Sequence, residues 1–310
     1  MEGPGLVAGS KSAASLHEVA ETLVQTIRNG CGDLHDKLGA YSTAVRNAQK
    51  QASDADAAGA DLQGVLSGPE TRGPWLAGWD GKYQHFTFES RHVRSMPLVD
   101  HEGRAIGVSF PTRHTGQNPD RKAYRAWSRM PTRLSDTEFV PETRIKRPGR
   151  REPEWQDRGP ARPAPWATDA QEGMLYVHAH ATRRGFEIEA DVGTDDDPDW
   201  RILLAPGRFF GHVLAADRHF RAASGAASNQ PLLLLACDAG NPDYRQDRDA
   251  ARVLHDEGLR HDVYATVAIN RARFDRENGI AEVGIEVPEG SSPTDAVVVT
   301  RAPPPDNVSK

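Results

Sequence analysis

Two histidines and one cysteine are the residues whose types and positions favour chemistry. His178 and His180 lie at the end of an apolar run that begins at Met174, and Cys237 ends a second apolar run that begins at Pro231. A cysteine attacks carbonyl carbons as its thiolate, and an adjacent imidazole lowers the thiol pKa and later returns the proton to the leaving amine. These side chains therefore indicate acyl transfer by a His–Cys dyad.

The two apolar runs are predicted to be neighbouring strands of a parallel sheet. A helical pattern over Pro206 to Phe220 separates them, as in a βαβ unit with both faces of the sheet covered. A second helix, Asp247 to Glu257, and a strand, Val263 to Ile269, follow, and Ala281 to Val287 and Ala296 to Thr300 are predicted as edge strands. Catalytic groups of parallel sheets lie beyond the carboxyl ends of strands, so the histidines and the cysteine are expected at one edge.

The run Val177 to Ile188 and the run Leu232 to Gly240 resemble the caspase-like clan of cysteine peptidases. The likeness is to its bacterial branch of CHAT domains, self-cleaving toxin peptidase domains and "lonely Cys" domains. His180 precedes Cys237 by about 57 residues, close to the roughly 50 found in caspases. The resemblance implies an α/β fold, a three-layer αβα domain with a mainly parallel central sheet, and a cysteine endopeptidase acting on a protein or peptide substrate.

The resemblance also assigns roles to the histidines. It favours His180 as the general base and then acid, because Gly185 and Phe186 then fall where the family has a hairpin glycine and its next strand. His178 shares a strand face with His180, since side chains alternate along a strand. His178 would pack beneath His180 or orient it.

The turns after the two strands are predicted to complete the site. Backbone N–H groups of Ala181 and Cys237 would stabilise the oxyanion. Gly240 would let the chain turn sharply behind Cys237. Asp238 would line the substrate cleft, or simply belong to an acidic loop.

Two departures from the family pattern leave an alternative open. The family's His-Gly pair is His-Ala at 180–181, and Ala-Cys-Asp-Ala-Gly at 236–240 differs from the caspase signature Q-A-C-[RQG]-G. The alternative to an active, self-processing peptidase is an inactive caspase-like interaction module, associated with a secreted toxin or with type VII secretion.

Residues 1–68 are predicted to form a separate α-helical hairpin. Ser15 and Glu18 make a capping box, and a heptad seam of apolar residues follows from Leu34 to Leu62. We expect a coiled-coil module that binds a helical partner through residues 15–66. It weakly resembles the WXG-type hairpins of type VII secretion but has no Trp-x-Gly at its turn. Cys31, in that turn, is predicted to be structural.

Residues 69–310 are predicted to form the caspase-like domain. It would begin with a β-hairpin of Phe86 to Ser90 and Ala105 to Phe110, followed by a short helix, Arg121 to Met130. The Pro- and Arg-rich segment at about 141–168 cannot bury enough apolar surface to offset its ordering entropy. We expect an exposed, mobile loop there, and self-cleavage between Arg144 and Arg162.

Composition excludes several classes of function. The 38 Lys and Arg against 44 Asp and Glu give a net charge of -6, so no basic excess favours a nucleic-acid partner. The longest apolar run is too short for a membrane span, and the N-terminus has no Sec-type signal. A cytoplasmic protein, or one exported without a Sec signal, is expected. Two cysteines indicate neither a disulfide framework nor a zinc site, and no metal or cofactor is expected.

Overall fold

The computed structural model describes residues 75–112, 119–147, 149, 153–167, 173–194, 196–225 and 230–304. The chain divides into two units, Met1–Gly68 and Pro69–Lys310, and every described residue belongs to the second. The predicted hairpin of residues 1–68, with Cys31 and the proposed partner-binding face, lies outside the described residues.

The described part of the chain contains sixteen strands and four α-helices. The strands are β1 (Trp75–Trp79), β2 (His85–Glu89), β3 (Met96–Val99), β4 (Ala105–Phe110), β5 (Thr132–Arg133), β6 (Glu138–Ile145), β7 (Glu154–Asp157), β8 (Arg162–Pro163), β9 (Leu175–Thr182), β10 (Gly185–Asp191), β11 (Trp200–Ala205), β12 (Leu232–Leu235), β13 (Val263–Thr266), β14 (Asn270–Asp275), β15 (Ile280–Glu286) and β16 (Val297–Thr300). The helices are α1 (Pro119–Ser128), α2 (Gly207–Ala216), α3 (Arg218–Gly225) and α4 (Gln246–Asp256). None of these described helices combines the length and apolar composition that a bilayer crossing requires.

The larger sheet has a parallel centre. β12 pairs in parallel with β9 on one side and β13 on the other, and β9 also pairs in parallel with β4. Antiparallel β3 and β16 flank this centre, and the end of β9 pairs with β10, from which β11, β1 and β2 continue the sheet. The protein therefore has a mixed α/β fold, and the prediction of parallel β9, β12 and β13 is confirmed.

Alternating side chains of the central strands enter two cores. On one face, Leu175, Val177 and Ala179 of β9 pack in a cluster that includes buried residues of α2, α3 and α4. On the other face, Tyr176 of β9 and Leu235 of β12 join a cluster with α1 and the second sheet. The face that carries Tyr176 is also the face of His178 and His180, because strand side chains alternate.

The second sheet takes up part of the segment 141–168, which was predicted to be an exposed loop. It runs β14-β15-β6-β7, with β5 on β15 and β8 on β6. Pro141 and Glu142 are buried within β6, and Trp166 is fully buried behind it. Burial of β6 is possible because Arg271 and Arg273 neutralise the charge of Glu142. These arginines are distant in sequence, and the composition of the segment does not reveal that they pair with it.

The predicted β-hairpin joins the wrong strands. A turn at 101–103 precedes β4, but β4 pairs with β3, and β2 pairs with β1 in a hairpin of its own. β15 is also an interior strand, between β14 and β6, and not an edge strand. In each case the strand existed but its partner was wrong, because period-two patterning does not identify which strands pair.

One predicted helix is two helices. The pattern over 206–220 becomes α2 and α3, separated at Asp217. The Asp217 carboxylate accepts hydrogen bonds from the backbone N–H groups of His219 and Phe220. A side chain that satisfies these free donors begins a new helix at that point.

Candidate active site

The pairing of β9 with β12 brings the predicted reactive residues to one edge of the sheet. Leu235, the last residue of β12, pairs with His178 of β9 in parallel register. Cys237 follows Leu235 by two residues, and His180 follows His178 by two. The carboxyl ends of adjacent parallel strands lie at one edge, so Cys237, just after β12, lies at the same level along the strands as His180, near the end of β9.

The His178 side chain is buried beneath this edge of the sheet. It is 2% exposed, and its Nδ1 lies 2.8 Å from Oγ of Ser109, its cross-strand partner on β4. The Tyr124 ring of α1 stacks on the imidazole with 3.5 Å between ring centroids. Such surroundings fix the ring and exclude solvent from it.

His180 is the more accessible of the two histidines. It is half-buried, and its ring meets the edge of the His178 ring at a centroid distance of 5.6 Å. Its cross-strand partner is Glu187 of β10. Ala181, the next residue, is half-buried and pairs with Phe186.

The Cys237 thiol is directed towards the second sheet. Its Sγ donates a hydrogen bond to the backbone carbonyl of Asn270, at 3.7 Å, and not to an imidazole. Burial raises the pKa of the Cys237 thiol, and the carboxylates of Asp238 and Glu286 act in the same direction. The Asn270 backbone and the Arg144 guanidinium act in the opposite direction without reversing the shift. The thiol is therefore protonated at neutral pH.

Two charged residues of the second sheet form an ion pair beside the thiol. Nε of Arg144, on β6, lies 3.2 Å from Oε1 of Glu286, on β15. The Glu286 N–H donates to the carbonyl of Ile269, the residue before Asn270. This contact attaches Glu286 to the same segment that receives the thiol, so the ion pair contributes to the field at Cys237.

The turn after Cys237 differs from the prediction in two respects. Asp238, and not Gly240, has the left-handed conformation, with φ of 56°, which an aspartate tolerates better than most residues. Gly240 is required for close approach, because a Cβ there would lie 2.5 Å from Cγ2 of Val298. The chain thus turns at Asp238 and packs tightly at Gly240.

Two backbone donors of this turn are already used. The N–H of Asp238 donates to the carbonyl of Ala268, and the N–H of Gly240 donates to that of Thr266. They are not free to stabilise an oxyanion. Ala181 and Cys237 therefore remain the predicted backbone donors.

Sequence analysis missed three residues of this site. Asn270 contacts the thiol, while Ser109 and Tyr124 hold His178. Asn270 had a detectable signal, since it directly follows the mainly apolar run 263–269, and Cys237 stands at the corresponding end of the run that begins at Pro231. Ser109 and Tyr124 had none, because strand pairing and helix packing place them.

No other chemistry is evident in the described ranges. No three His, Cys, Asp or Glu side chains within them are placed to hold a metal ion. Nδ1 of the buried His261 is hydrogen-bonded to the Gln230 carbonyl, and the backbone carbonyl of His261 accepts a hydrogen bond from Nε2 of His255. Such bonds are typical of a structural histidine.

Comparison with known proteins does not assign the site to a family. No protein-family model matches the sequence, and neither a curated protein nor a solved structure is significantly similar to it. Its function is therefore argued from the site alone.

Proposed function

We propose that the unit Pro69–Lys310 is a caspase-like cysteine endopeptidase with a three-layer αβα architecture. Cys237 is its nucleophile and His180 its general base and then acid. The observation that carries the proposal is the parallel register of β9 with β12, in which Leu235 pairs with His178. This register supports a His–Cys dyad at the carboxyl edge of the sheet.

The proposed reaction proceeds through a thioester. His180 takes the thiol proton, and the Cys237 sulfur attacks the carbonyl carbon of the scissile peptide bond. The C–N bond breaks, the imidazolium gives its proton to the leaving amine, and an acyl-enzyme remains. His180 then takes a proton from water, whose oxygen attacks the thioester; the acid product leaves and the thiol recovers its proton.

The thiol must change partner before this reaction begins. It donates to the Asn270 carbonyl in the resting arrangement, and burial raises its pKa. Substrate binding supplies the free energy that moves the thiol from this carbonyl to His180. His178, fixed by Ser109 and Tyr124, supports the ring of His180 from below.

One observation favours a second candidate function. The thiol is buried and neutral and has no imidazole partner among the residues that the structure describes, which is typical of a structural cysteine. The same fold would then be an inactive caspase-like interaction module, associated with a secreted toxin or a type VII secretion system, with a helical partner bound through residues 15–66.

A peptide carrying a thiol-reactive group separates the two functions. The peptidase requires labelling at Cys237 that His180→Ala suppresses strongly and His178→Ala less, because only His180 takes the thiol proton. Cys237→Ala is the control for the labelled position. Absence of labelling at Cys237, or labelling that neither histidine substitution alters, favours the interaction module.

Self-processing gives a second test. Arg144 lies in β6 and Arg162 in β8, so the expected cleavage segment narrows to residues 146–153, between β6 and β7. We expect slow cleavage of the purified chain there, into a fragment that contains residues 1–145 and one that contains both His180 and Cys237. Equal cleavage of the Cys237→Ala variant would assign the cut to a contaminating protease.

A further inference from the structure

The Asn270 side chain links the carboxyl ends of the parallel strands β12 and β13, at the residue that precedes Cys237. Its side-chain Nδ2 donates to the carbonyl of Ala236 at 3.0 Å and to Oγ1 of Thr266 at 2.7 Å. Ala236 follows β12 and precedes Cys237, and Thr266 ends β13. Asn270 is 5% exposed, so water does not compete for these bonds.

The backbone of the same residue contacts Cys237 directly. The Asn270 carbonyl receives the thiol of Cys237, while its side chain holds the preceding carbonyl, that of Ala236. Two contacts from one residue thus fix both the backbone and the side chain of Cys237. We infer that Asn270 is the positioning residue of Cys237 and holds its thiol in the resting place; the consequence for turnover rests on the proposed peptidase function.

The two ends of the Asn270 side-chain amide differ in their hydrogen bonding. Oδ1 is buried and has no hydrogen-bond partner among the described residues. A buried acceptor without a donor is unfavourable, because it loses its bond to water and gains none in the fold. Asn270 therefore serves through its amide donor, and substitutions that keep its shape but remove the donor should release the Cys237 turn.

Several charged groups surround the thiol and affect its ionisation together with Asn270. Asp238 belongs to the same turn, Glu286 lies on β15 and Arg144 on β6. His178 and His180 lie on β9, which pairs with β12. A substitution at Asn270 leaves these groups unchanged, so a difference in pH profile reports Asn270 itself.

The test measures the reaction of Cys237 with iodoacetamide by intact mass, across about pH 6 to 10, a range that spans the free thiol pKa of about 8.5. The full chain carries Cys31→Ser, so that Cys237 is its single thiol. Asn270→Ala removes the donor, and Asn270→Asp replaces it with a carboxylate of nearly the same shape. Asn278→Ala, an exposed asparagine at the far end of the same hairpin, is the matched control.

We expect Asn270→Ala to react about two- to tenfold faster with iodoacetamide, the effect of losing about one hydrogen bond. Asn270→Asp should shift the midpoint of the pH profile upward, because a new negative charge disfavours the thiolate. Labelling by the thiol-reactive peptide should fall in both variants, since that reaction requires a positioned sulfur. Asn278→Ala should behave as the parent.

An unchanged iodoacetamide rate in a folded Asn270→Ala protein overturns the inference. All rates are measured well below each variant's melting temperature, so that unfolded chains contribute nothing. If Asn270→Ala does not fold, an unshifted midpoint in Asn270→Asp overturns it instead. If the parent protein reacts with iodoacetamide but not with the peptide, the peptidase proposal is wrong. The iodoacetamide rates of the Asn270 variants still decide the role of Asn270.

Discussion

Two polar centres meet at the start of β14, and their states differ. Asn270 belongs to the Cys237 centre, and the next residue, Arg271, belongs to the Glu142 centre. Glu142 is fully buried, with both carboxylate oxygens bound bidentately by Arg271 at 2.8 and 2.6 Å and a further bond from Arg273. At the other centre the thiol is neutral, and Oδ1 of Asn270 has no partner within the described residues.

The difference is that charge is compensated at the Glu142 centre and is not compensated at the Cys237 centre. At Glu142 every charge is compensated within the fold, so the second sheet gains an ion network that holds β6 to β14. At the Cys237 centre, Oδ1 of Asn270 lacks a hydrogen-bond donor among the described residues, and the carboxylates of Asp238 and Glu286 oppose thiolate formation. Uncompensated groups of this kind are more frequent at functional sites than elsewhere in a fold, which agrees with the proposed role of Cys237.

The largest expected effect is on stability, at the Glu142 centre. Glu142→Ala should lower the free energy of unfolding by about 3 kcal/mol, the lower end for breaking a buried pair, because the Arg271 side chain is still 40% exposed. Urea denaturation measures the loss. Glu154→Ala, which removes an exposed pair with Arg147, should cost less than about 1 kcal/mol.

The same variant tests whether the two centres are independent. Folded Glu142→Ala protein should react with iodoacetamide at Cys237 at the parental rate. A change as large as that of Asn270→Ala would show that the centres act as one and would remove the contrast between them.

The next effect is a packing loss beside Cys237. Gly240→Ala should lower the free energy of unfolding by about 1–3 kcal/mol, the usual cost of overpacking, because its Cβ would lie 2.5 Å from Cγ2 of Val298. Val298→Ala in the same chain should recover most of the loss. Gly81→Ala, where no atom lies within 4 Å of an added Cβ, is the control, and an equal loss there would contradict the packing explanation.

A smaller effect is the pH dependence that the Cys237 thiol adds to stability. Because its folded pKa is raised, the folded protein keeps a proton that the unfolded chain releases above about pH 8.5. Stability should therefore be fully present below that pH and should decrease as the pH rises towards the folded pKa. Urea denaturation at increasing pH measures the decrease.

Cys237→Ala should lack this decrease. Both proteins carry Cys31→Ser, and the free energy of unfolding of the variant is subtracted from that of the parent at each pH. The difference removes the contributions of other titrating groups, including the Tyr176 phenol, whose pKa burial also raises. If the two proteins lose stability in parallel, the thiol is not desolvated and the contrast with Glu142 is weakened.

The smallest expected effect is on the rate of Cys237 alkylation, with opposite signs for the two members of the Arg144–Glu286 pair. Below the thiol pKa, Glu286→Gln should accelerate the reaction because it removes a carboxylate that raises the pKa, and Arg144→Gln should slow it. Iodoacetamide rates at one pH suffice. Glu289→Gln, on the exposed turn after β15, should leave the rate unchanged, and a common sign for the pair would exclude an electrostatic cause.

Local patterns in the sequence determined much of the central sheet. The apolar runs that became β9, β12 and β13 were identified with their parallel direction, and α4 and most of α1 followed from helical periodicity. These predictions succeeded because hydrophobic periodicity is a local property that burial in the fold preserves. The same local patterns were enough to predict that His178, His180 and Cys237 lie at the ends of two strands.

Tertiary structure alone decided the pairing of strands outside this parallel centre. Sequence patterns could not show that β3 pairs with β4, nor that β6 enters a sheet where Arg271 compensates Glu142. They also did not show that the thiol would meet the Asn270 carbonyl, because strand pairing, desolvation and charge compensation depend on residues far apart in the chain. The pKa of Cys237 thus depends chiefly on burial and on residues distant in the sequence, and Asp238 is the one adjacent residue that contributes.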